Sequence, residues 1–210
     1  MAGSIWKCGD GMQILAKGFL LQVAWGSIWV TAGLGQWRAN LEIGSNRFWG
    51  GSVELSGEHR SFLPYRPTFF GIGIERYGQP LGAGLQFHYS QASLGLEGSD
   101  AVVAVKGIFK TFSIAPEVYY RLASVAANQL RLLGGPLLEV WSIADEDSRL
   151  RAGVRLGLSL DIPLGARFGG SILGGAALIP SPFNEGELTS TYERTALWRR
   201  ELALRINYRL

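Results

Sequence analysis

The chain ends in a segment whose side chains alternate between apolar and polar. Between residues 195 and 210 the even-numbered side chains are apolar except Arg200, and most of the odd-numbered ones are charged or polar. Because a β-strand places successive side chains on opposite faces, this segment predicts a strand with one apolar face and one charged face. Such an apolar ribbon is stable when it packs on a second layer or when a closed barrel presents it to lipid.

The same alternation recurs upstream and predicts eight strands in all. The seven segments before the terminal strand cover about residues 37–43, 68–77, 81–91, 112–122, 129–142, 150–162 and 166–179. The apolar parity shifts after Gln91, which predicts a bulge, and Pro116 predicts an irregular position in its ladder. A total of eight requires that residues 49–57 belong to a long first hairpin rather than to a ninth strand.

The connections between the predicted strands separate into two kinds. Short turns at residues 78–80, 124–128 and 163–165 follow strands two, four and six, and longer links follow strands one, three and seven. The link after strand five, residues 144–148, is short and acidic. Short and long connections therefore lie at opposite ends, and an even strand number returns the chain to the end where it began.

Charge and cysteine content exclude several classes of function. The 210 residues carry 20 Lys and Arg against 17 Asp and Glu, for a net charge of +3, and the arginines alternate with apolar residues instead of forming a basic stripe. This pattern argues against nucleic-acid binding. The single cysteine, Cys8, rules out an intrachain disulfide framework, and no histidine pair has metal-ligand spacing. We predict neither a metal site nor a cofactor.

The N-terminal region predicts a signal peptide. Lys17 supplies a basic n-region, residues 18–29 form a short apolar run, and the small residues that follow suit cleavage after Ala32. Residues 1–32 are then a leader, with translation starting at Met12 or upstream of it, and residues 33–210 form the mature domain. The alternative is an uncleaved anchor helix over residues 18–34.

Taken together, the alternating segments, the leader and the terminal strand at 202–210 resemble those of small eight-stranded bacterial outer-membrane β-barrel proteins. The resemblance implies an all-β fold: a closed, antiparallel, up-and-down transmembrane barrel preceded by a signal peptide. It also implies an outer-membrane location, contact with lipopolysaccharide and insertion by the barrel-assembly machinery. The terminal strand resembles the signal which that machinery reads, carried here by Leu204, Ile206, Tyr208 and Leu210, although the family usually ends on phenylalanine.

A barrel surrounded by lipid must turn its charged faces inward. Exposing Arg205 at the bilayer midplane would cost about 2–4 kcal/mol, so we expect it in the lumen. By the same parity the predicted lumen charges are Glu42, Glu75, Glu117, Arg131, Glu139, Arg151, Arg155, Asp161, Arg199, Glu201 and Arg205. Since an eight-stranded barrel is only just wide enough to hold its own side chains, this network would fill it and leave no open pore.

Two alternatives share the same alternation or the same residues. A soluble lipocalin-like carrier would turn the apolar face inward, and Gly35-Gln36-Trp37 matches the lipocalin Gly-x-Trp motif. An acyl hydrolase similar to outer-membrane lipid A deacylases could use Ser90 as nucleophile, His88 as base and Glu117 as orienting carboxylate. Because the parity of strand three puts His88 and Ser90 in the lumen, we favour a non-catalytic polar histidine.

The links at the long end are the expected working surface. Asp145, Glu146 and Asp147 could hold divalent cations that bridge lipopolysaccharide phosphates, although a solvated turn is the simpler interpretation. In the longest link, which contains residues 182–187 and 192–194, an aromatic residue such as Phe183 could contact a partner. We predict a structural or surface-interaction role, with the partner on the surface unidentified.

Overall fold

The computed structural model describes residues 36–54, 61–97, 102–143, 147–184 and 192–210. The chain divides into Met1–Leu34 and Gly35–Leu210. The predicted leader lies outside the described residues, and the second unit contains the strands. No helix in the described ranges is long and apolar enough to cross a membrane. The strands are β1 (Gln36–Glu54), β2 (Ser61–Tyr77), β3 (Leu81–Glu97), β4 (Val102–Val125), β5 (Asn128–Ile143), β6 (Arg149–Pro163), β7 (Phe168–Ile179) and β8 (Tyr192–Arg209).

Each strand pairs antiparallel with the next, and β8 pairs with β1, so the sheet closes into an up-and-down barrel. The predicted fold class and strand number are therefore confirmed. The open question over residues 49–57 is resolved because β1 continues to Glu54, which pairs with Tyr192 of β8. As far as Glu54 this stretch extends the first strand, and closure of the described strands leaves no unpaired sheet edge for water or another chain to reach.

Two predicted irregularities occupy the expected places. The β3–β4 register shifts between Ala92 and Leu94, as the change of parity after Gln91 predicts. Pro116 pairs with Leu85 without a shift, but the described β4–β5 pairs run to Ile114 and resume only at Val118. Proline has no N–H to donate to the ladder, which accounts for the gap.

The connections lie at two distinct ends. Residues 78–80, 126–127 and 164–167 form the short-turn end, together with the start of β1 and the end of β8. The links between β1 and β2, β3 and β4, β5 and β6, and β7 and β8 lie at the opposite, long-link end. The prediction of a long link after strand three is wrong, because β3 and β4 remain paired as far as Glu97 and Val102.

The two faces of the barrel differ sharply in chemistry. Along β8, Leu204 is 60% exposed, whereas its neighbour Arg205 is 1% exposed. Apolar residues on the other strands are exposed in the same way, among them Leu41, Ile43, Phe70, Ile72, Val154 and Leu156. The soluble-carrier alternative is wrong, because it requires this apolar face to point inward. A continuous apolar outer face with every strand paired is the arrangement that lipid demands.

Candidate functional site

The charged faces of the strands meet in the lumen and form a connected set of ion pairs, which we call the lumen network. At the short-turn end, Arg131 Nη2 lies 2.7 Å from Asp161 Oδ2, and its Nη1 lies 3.4 Å from Glu75 Oε1. Arg38 Nη1 contacts the same two oxygens, at 3.7 Å from Asp161 Oδ2 and 3.6 Å from Glu75 Oε1. Each carboxylate is thus shared by two guanidinium groups.

Arg205 occupies the centre of the lumen, where its guanidinium faces three strands. Its Nη2 lies 2.6 Å from Glu42 Oε2, and its Nε donates a 2.8 Å hydrogen bond to that oxygen. Glu42 and Arg205 are directly opposite each other in the β1–β8 ladder that closes the barrel. Nη1 donates to the Tyr119 hydroxyl at 3.4 Å, so the pair also reaches β4.

Tyr119 links the central arginine to other polar side chains. Its hydroxyl donates a 2.5 Å hydrogen bond to Glu117 Oε2 and accepts one of 3.2 Å from Gln86 Nε2. All three side chains are buried. Buried polar groups are costly unless they are hydrogen-bonded, and here the Tyr119 hydroxyl accepts from two donors, Gln86 and Arg205, and donates to one carboxylate.

Two further arginines continue the network toward the long-link end. Arg155 pairs with Glu117, and its Nε donates a 2.5 Å hydrogen bond to Glu201 Oε1. Arg199 pairs with Glu139, and its Nη2 lies 3.5 Å from Glu201 Oε2. Arg205 Nη1 lies 3.9 Å from Glu75 Oε2, and Arg155 Nη2 lies 3.7 Å from Glu42 Oε1, so the ion pairs are continuous from Asp161 to Glu139.

One predicted member of the network lies elsewhere, and two members were missed. Arg151 donates to the Ser181 carbonyl at 2.8 Å and to Asn184 Oδ1 at 2.8 Å, so its position beside the β7–β8 link corrects the prediction. The residues that the sequence prediction missed are Arg38 and Tyr119, which both contact members of the lumen network. Both have the inward parity of their strands, which was the signal available in the sequence.

Above the charges, apolar side chains close the long-link end of the lumen. The rings of Phe109 and Trp141 are 6.0 Å apart, as are those of Phe48 and Trp141, both edge to face. Phe183, from the β7–β8 link, packs on Phe109 at 6.3 Å. We call these four residues the aromatic plug. The prediction that Phe183 is available to a surface partner is wrong, because it is turned inward and 9% exposed.

Of the predicted hydrolase residues, His88 and Ser90 lie between the plug and the network, whereas Glu117 belongs to the network, and the three do not form a triad. His88 Nε2 is 3.6 Å from Glu42 Oε1, while Ser90 Oγ donates to the Thr68 carbonyl at 3.3 Å. Glu117 contacts Tyr119 and Arg155, so its predicted role beside His88 is wrong. The cavity lined by His88 and Ser90 measures about 10 Å³, which is room for one water at most.

A larger cavity of about 120 Å³ opens at the short-turn end. Arg38, Asp161, Arg167 and Asn207 contribute polar groups to its wall. Beyond it the Arg131–Asp161 pair begins, so the cavity ends at the lumen network. Within the described part of the chain, no three His, Cys, Asp or Glu side chains are grouped so as to hold a metal ion.

The residues of the predicted assembly signal share the outward parity of β8. Leu204, Ile206 and Leu210 are 60, 57 and 67% exposed. The Tyr208 ring packs against Phe168 at 5.1 Å, and its hydroxyl accepts a 3.2 Å hydrogen bond from Arg167. These contacts place an aromatic pair on the outside of the barrel at the short-turn end.

Comparison with known proteins reveals similarity of structure alone. No family model matches the chain, and no curated protein matches it. Among solved structures it is similar to Neisserial surface protein A (NspA), with 9% identity, 83% of this chain and 97% of that chain covered, and a TM-score of 0.54. It is also similar to the outer membrane protein OprG from Pseudomonas aeruginosa, with 11% identity, coverage of 84% and 96%, and a TM-score of 0.50.

Both of these structures are eight-stranded barrels of the outer-membrane type, and both are covered over almost their whole length. At these identities the likeness concerns the fold. The exposed apolar face and the complete strand pairing of this chain agree with it independently. The chain therefore has the fold of the small eight-stranded bacterial outer-membrane β-barrels.

Proposed function

We propose that this chain is an integral outer-membrane barrel without an open pore, whose role is structural or lies in contacts at the bacterial surface. The observation that carries the proposal is the series of ion pairs from Asp161 to Glu139 in the lumen, with the aromatic plug above them. Passage of an ion or solute would require several buried pairs to separate together. Since removing one partner of a buried pair typically costs about 3–5 kcal/mol, the closed state is strongly favoured.

The outer face and the long-link end are then the surfaces left for function. In barrels of this type the short turns face the periplasm and the longer links face outward. The similarity to a protein described as a surface protein supports the same orientation. We expect lipopolysaccharide as the lipid neighbour, the barrel-assembly machinery as the partner during insertion, and a surface partner at the links.

Single-channel recording in planar bilayers tests the absence of a pore. The full chain, refolded in detergent and shown to be folded by a heat-dependent shift in SDS electrophoresis, is added to the membrane, and a general porin added in parallel is the positive control. We expect no discrete conductance steps from this chain. Reproducible steps from the folded protein would overturn the closed lumen, whatever its location.

Fractionation tests the location separately. The protein expressed with its own leader should appear in the outer-membrane fraction and migrate differently in boiled and unboiled samples. Recovery in the soluble fraction without a shift would contradict the outer-membrane assignment even if the conductance result held.

An acyl hydrolase remains the less favoured alternative. His88 and Ser90 have other partners, and the cavity beside them is too small for an acyl chain or a sugar. The proposal therefore includes no catalytic role for these residues.

A further inference from the structure

Three arginines lie at one level on the outside of the barrel, two on the strand pair that closes it and one on the neighbouring strand β2. Arg47 of β1 and Arg200 of β8 are directly opposite in register. Ser45 pairs with Thr68 at the end of the described β1–β2 ladder, and Arg66 of β2 lies two residues beyond that pair, at about the same level of the barrel as Arg47. All three side chains are exposed. We call Arg66, Arg47 and Arg200 the arginine row.

The row has no counter-charge in the described part of the chain. No ion pair joins Arg47, Arg66 or Arg200 to a described carboxylate. The Arg200 guanidinium lies 4.6 Å from the centre of the Trp49 ring, a contact that does not neutralise its charge. Like charges directly opposite in a β-ladder are destabilising, so the arrangement calls for an anion from outside the chain.

The height of the row on the barrel indicates where that anion lies. From Trp37 to Arg47, β1 advances about 33 Å at about 3.3 Å per residue, and a tilt of about 40° reduces this to about 25 Å across the membrane, the height of the apolar band in such barrels. Below Arg200 on the same face are Leu202 and Leu204, which are 64 and 60% exposed. The row thus lies at the headgroup level of the leaflet nearest the long-link end.

We propose that the arginine row is a binding site for the phosphate groups of a phosphorylated glycolipid in the outer leaflet, of the lipid A kind. Guanidinium groups bind phosphate oxygens with two parallel hydrogen bonds, and neighbouring guanidiniums can hold one phosphate between them. Acyl chains of the same lipid would lie along the exposed leucines below. The inference rests on the proposed outer-membrane location and deepens it by naming a lipid site on β8, β1 and β2.

Native mass spectrometry of the folded full chain in detergent micelles tests the site. The probes are diphosphorylated lipid A, its monophosphorylated form and an uncharged glycolipid with matched chains. We expect retention of diphosphorylated lipid A above the other two, and a fall in its apparent affinity of about tenfold or more in the Arg47→Gln/Arg200→Gln variant. The matched control is Lys110→Gln, because Lys110 is an exposed cation opposite Gln91 on the same face, outside the row.

Equal retention of all three lipids would overturn the site, as would equal losses in the double variant and the Lys110→Gln control. Millimolar inorganic phosphate should not displace the lipid; displacement would indicate a site for free phosphate rather than for a lipid headgroup and would also overturn the proposal.

A stability comparison keeps the test informative if lipid retention is weak. In micelles without lipid A, the double variant should unfold at the same or a higher urea concentration than the wild type, because the cross-strand repulsion is gone. With lipid A present, the order should reverse. Earlier unfolding of the variant in lipid-free micelles would mean that the arginines stabilise the barrel by themselves. All these measurements use protein already shown to be folded, so a failure of the lipid site does not count against the barrel itself.

Discussion

Arg205 and Glu42 are joined by an ion pair of 2.6 Å directly across the β1–β8 ladder, although they are 163 positions apart in the sequence. If the strands pair in chain order, β8 pairs with β1 last, and this pairing converts an open sheet into a barrel. A charge pair at this position can form only in the closed state, so its energy contributes to closure.

Replacing Arg205 with leucine should destabilise the barrel by about 3–5 kcal/mol, because Glu42 is left buried without its main counter-charge. Urea unfolding in detergent micelles, followed by tryptophan fluorescence, measures the loss. Arg209→Gln at the exposed end of β8 is the control and should change stability by less than about 0.5 kcal/mol. Adding Glu42→Gln to Arg205→Leu should recover part of the loss. A loss below about 1 kcal/mol in Arg205→Leu would contradict the role of the pair.

A substitution at Leu204 tests whether the outer face of β8, opposite Arg205, contacts lipid. Leu204→Arg places a charge on the lipid side near the middle of β8 and should cost about 2–4 kcal/mol of unfolding free energy in a bilayer. Leu210→Arg, beyond the end of the strand, should cost about 0–1 kcal/mol. The two variants are compared by reversible unfolding from lipid vesicles. If both have equal effects, Leu204 does not face the hydrocarbon region.

Replacing Trp141 tests whether the aromatic plug only packs the lumen or also keeps the pore closed. Its side chain is fully buried between Phe48 and Phe109, and Trp141→Ala should lower stability by about 3–5 kcal/mol through the cavity it creates. The variant should remain non-conducting, because the ion pairs toward the short-turn end are intact. Planar-bilayer recording on the folded variant decides this point. Channel openings there would mean that the plug, and not the charges, holds the lumen closed.

Ser90→Ala should leave the lipid A of expressing cells unchanged. The Ser90 hydroxyl donates to a backbone carbonyl, and His88 faces Glu42. Mass spectrometry of lipid A from cells producing the wild type, Ser90→Ala and Ser113→Ala compares acyl-chain numbers; Ser113 is a second buried lumen serine and serves as the matched control. Deacylation by the wild type that is lost only in Ser90→Ala would establish the hydrolase and refute a purely structural role for these residues.

Two strand glycines should respond differently to alanine. A Cβ on Gly135 would lie 2.0 Å from the Pro116 carbonyl oxygen, which belongs to backbone and cannot move aside, whereas a Cβ on Gly174 would have nothing within 4 Å. Gly135→Ala should therefore destabilise the barrel by about 1–3 kcal/mol. Gly174→Ala should be neutral or stabilise by up to about 1 kcal/mol, since it restricts the unfolded chain. Urea midpoints of the two variants in one detergent give the comparison, and similar losses would contradict the close contact at Pro116.

The strand faces could be predicted because alternation is a local property. Leu204 and Arg205 need no knowledge of their neighbours to be assigned to opposite sides. Partners within the lumen depend on how far each strand is staggered against the next, and no local pattern encodes this stagger. Parity therefore placed Glu117 and His88 correctly on the inside, but the pairing of His88 with Glu42 depends on the register of β1, β2 and β3 together.

The positions of link residues are harder to predict than the partners within the lumen, because the sequence of a link has no periodicity. Phe183 looks like a surface aromatic in the sequence, but Ser181 donates to the Gly51 carbonyl at 2.7 Å and holds the start of the link over the lumen. Only the three-dimensional position of β1 relative to β7 brings that carbonyl within reach.

The register shifts divide the barrel into parts that can change independently. On the long-link side they fall between Gly50 and Ser52, Tyr65 and Thr68, and Ala92 and Leu94, and the ladders between these points and the short turns keep one register through the apolar band. A one-residue slip in a strand exchanges its two faces, and a bulge absorbs such a slip. Insertions and deletions beyond the shifts can therefore be accommodated in the sheet while the lipid-facing pattern stays unchanged.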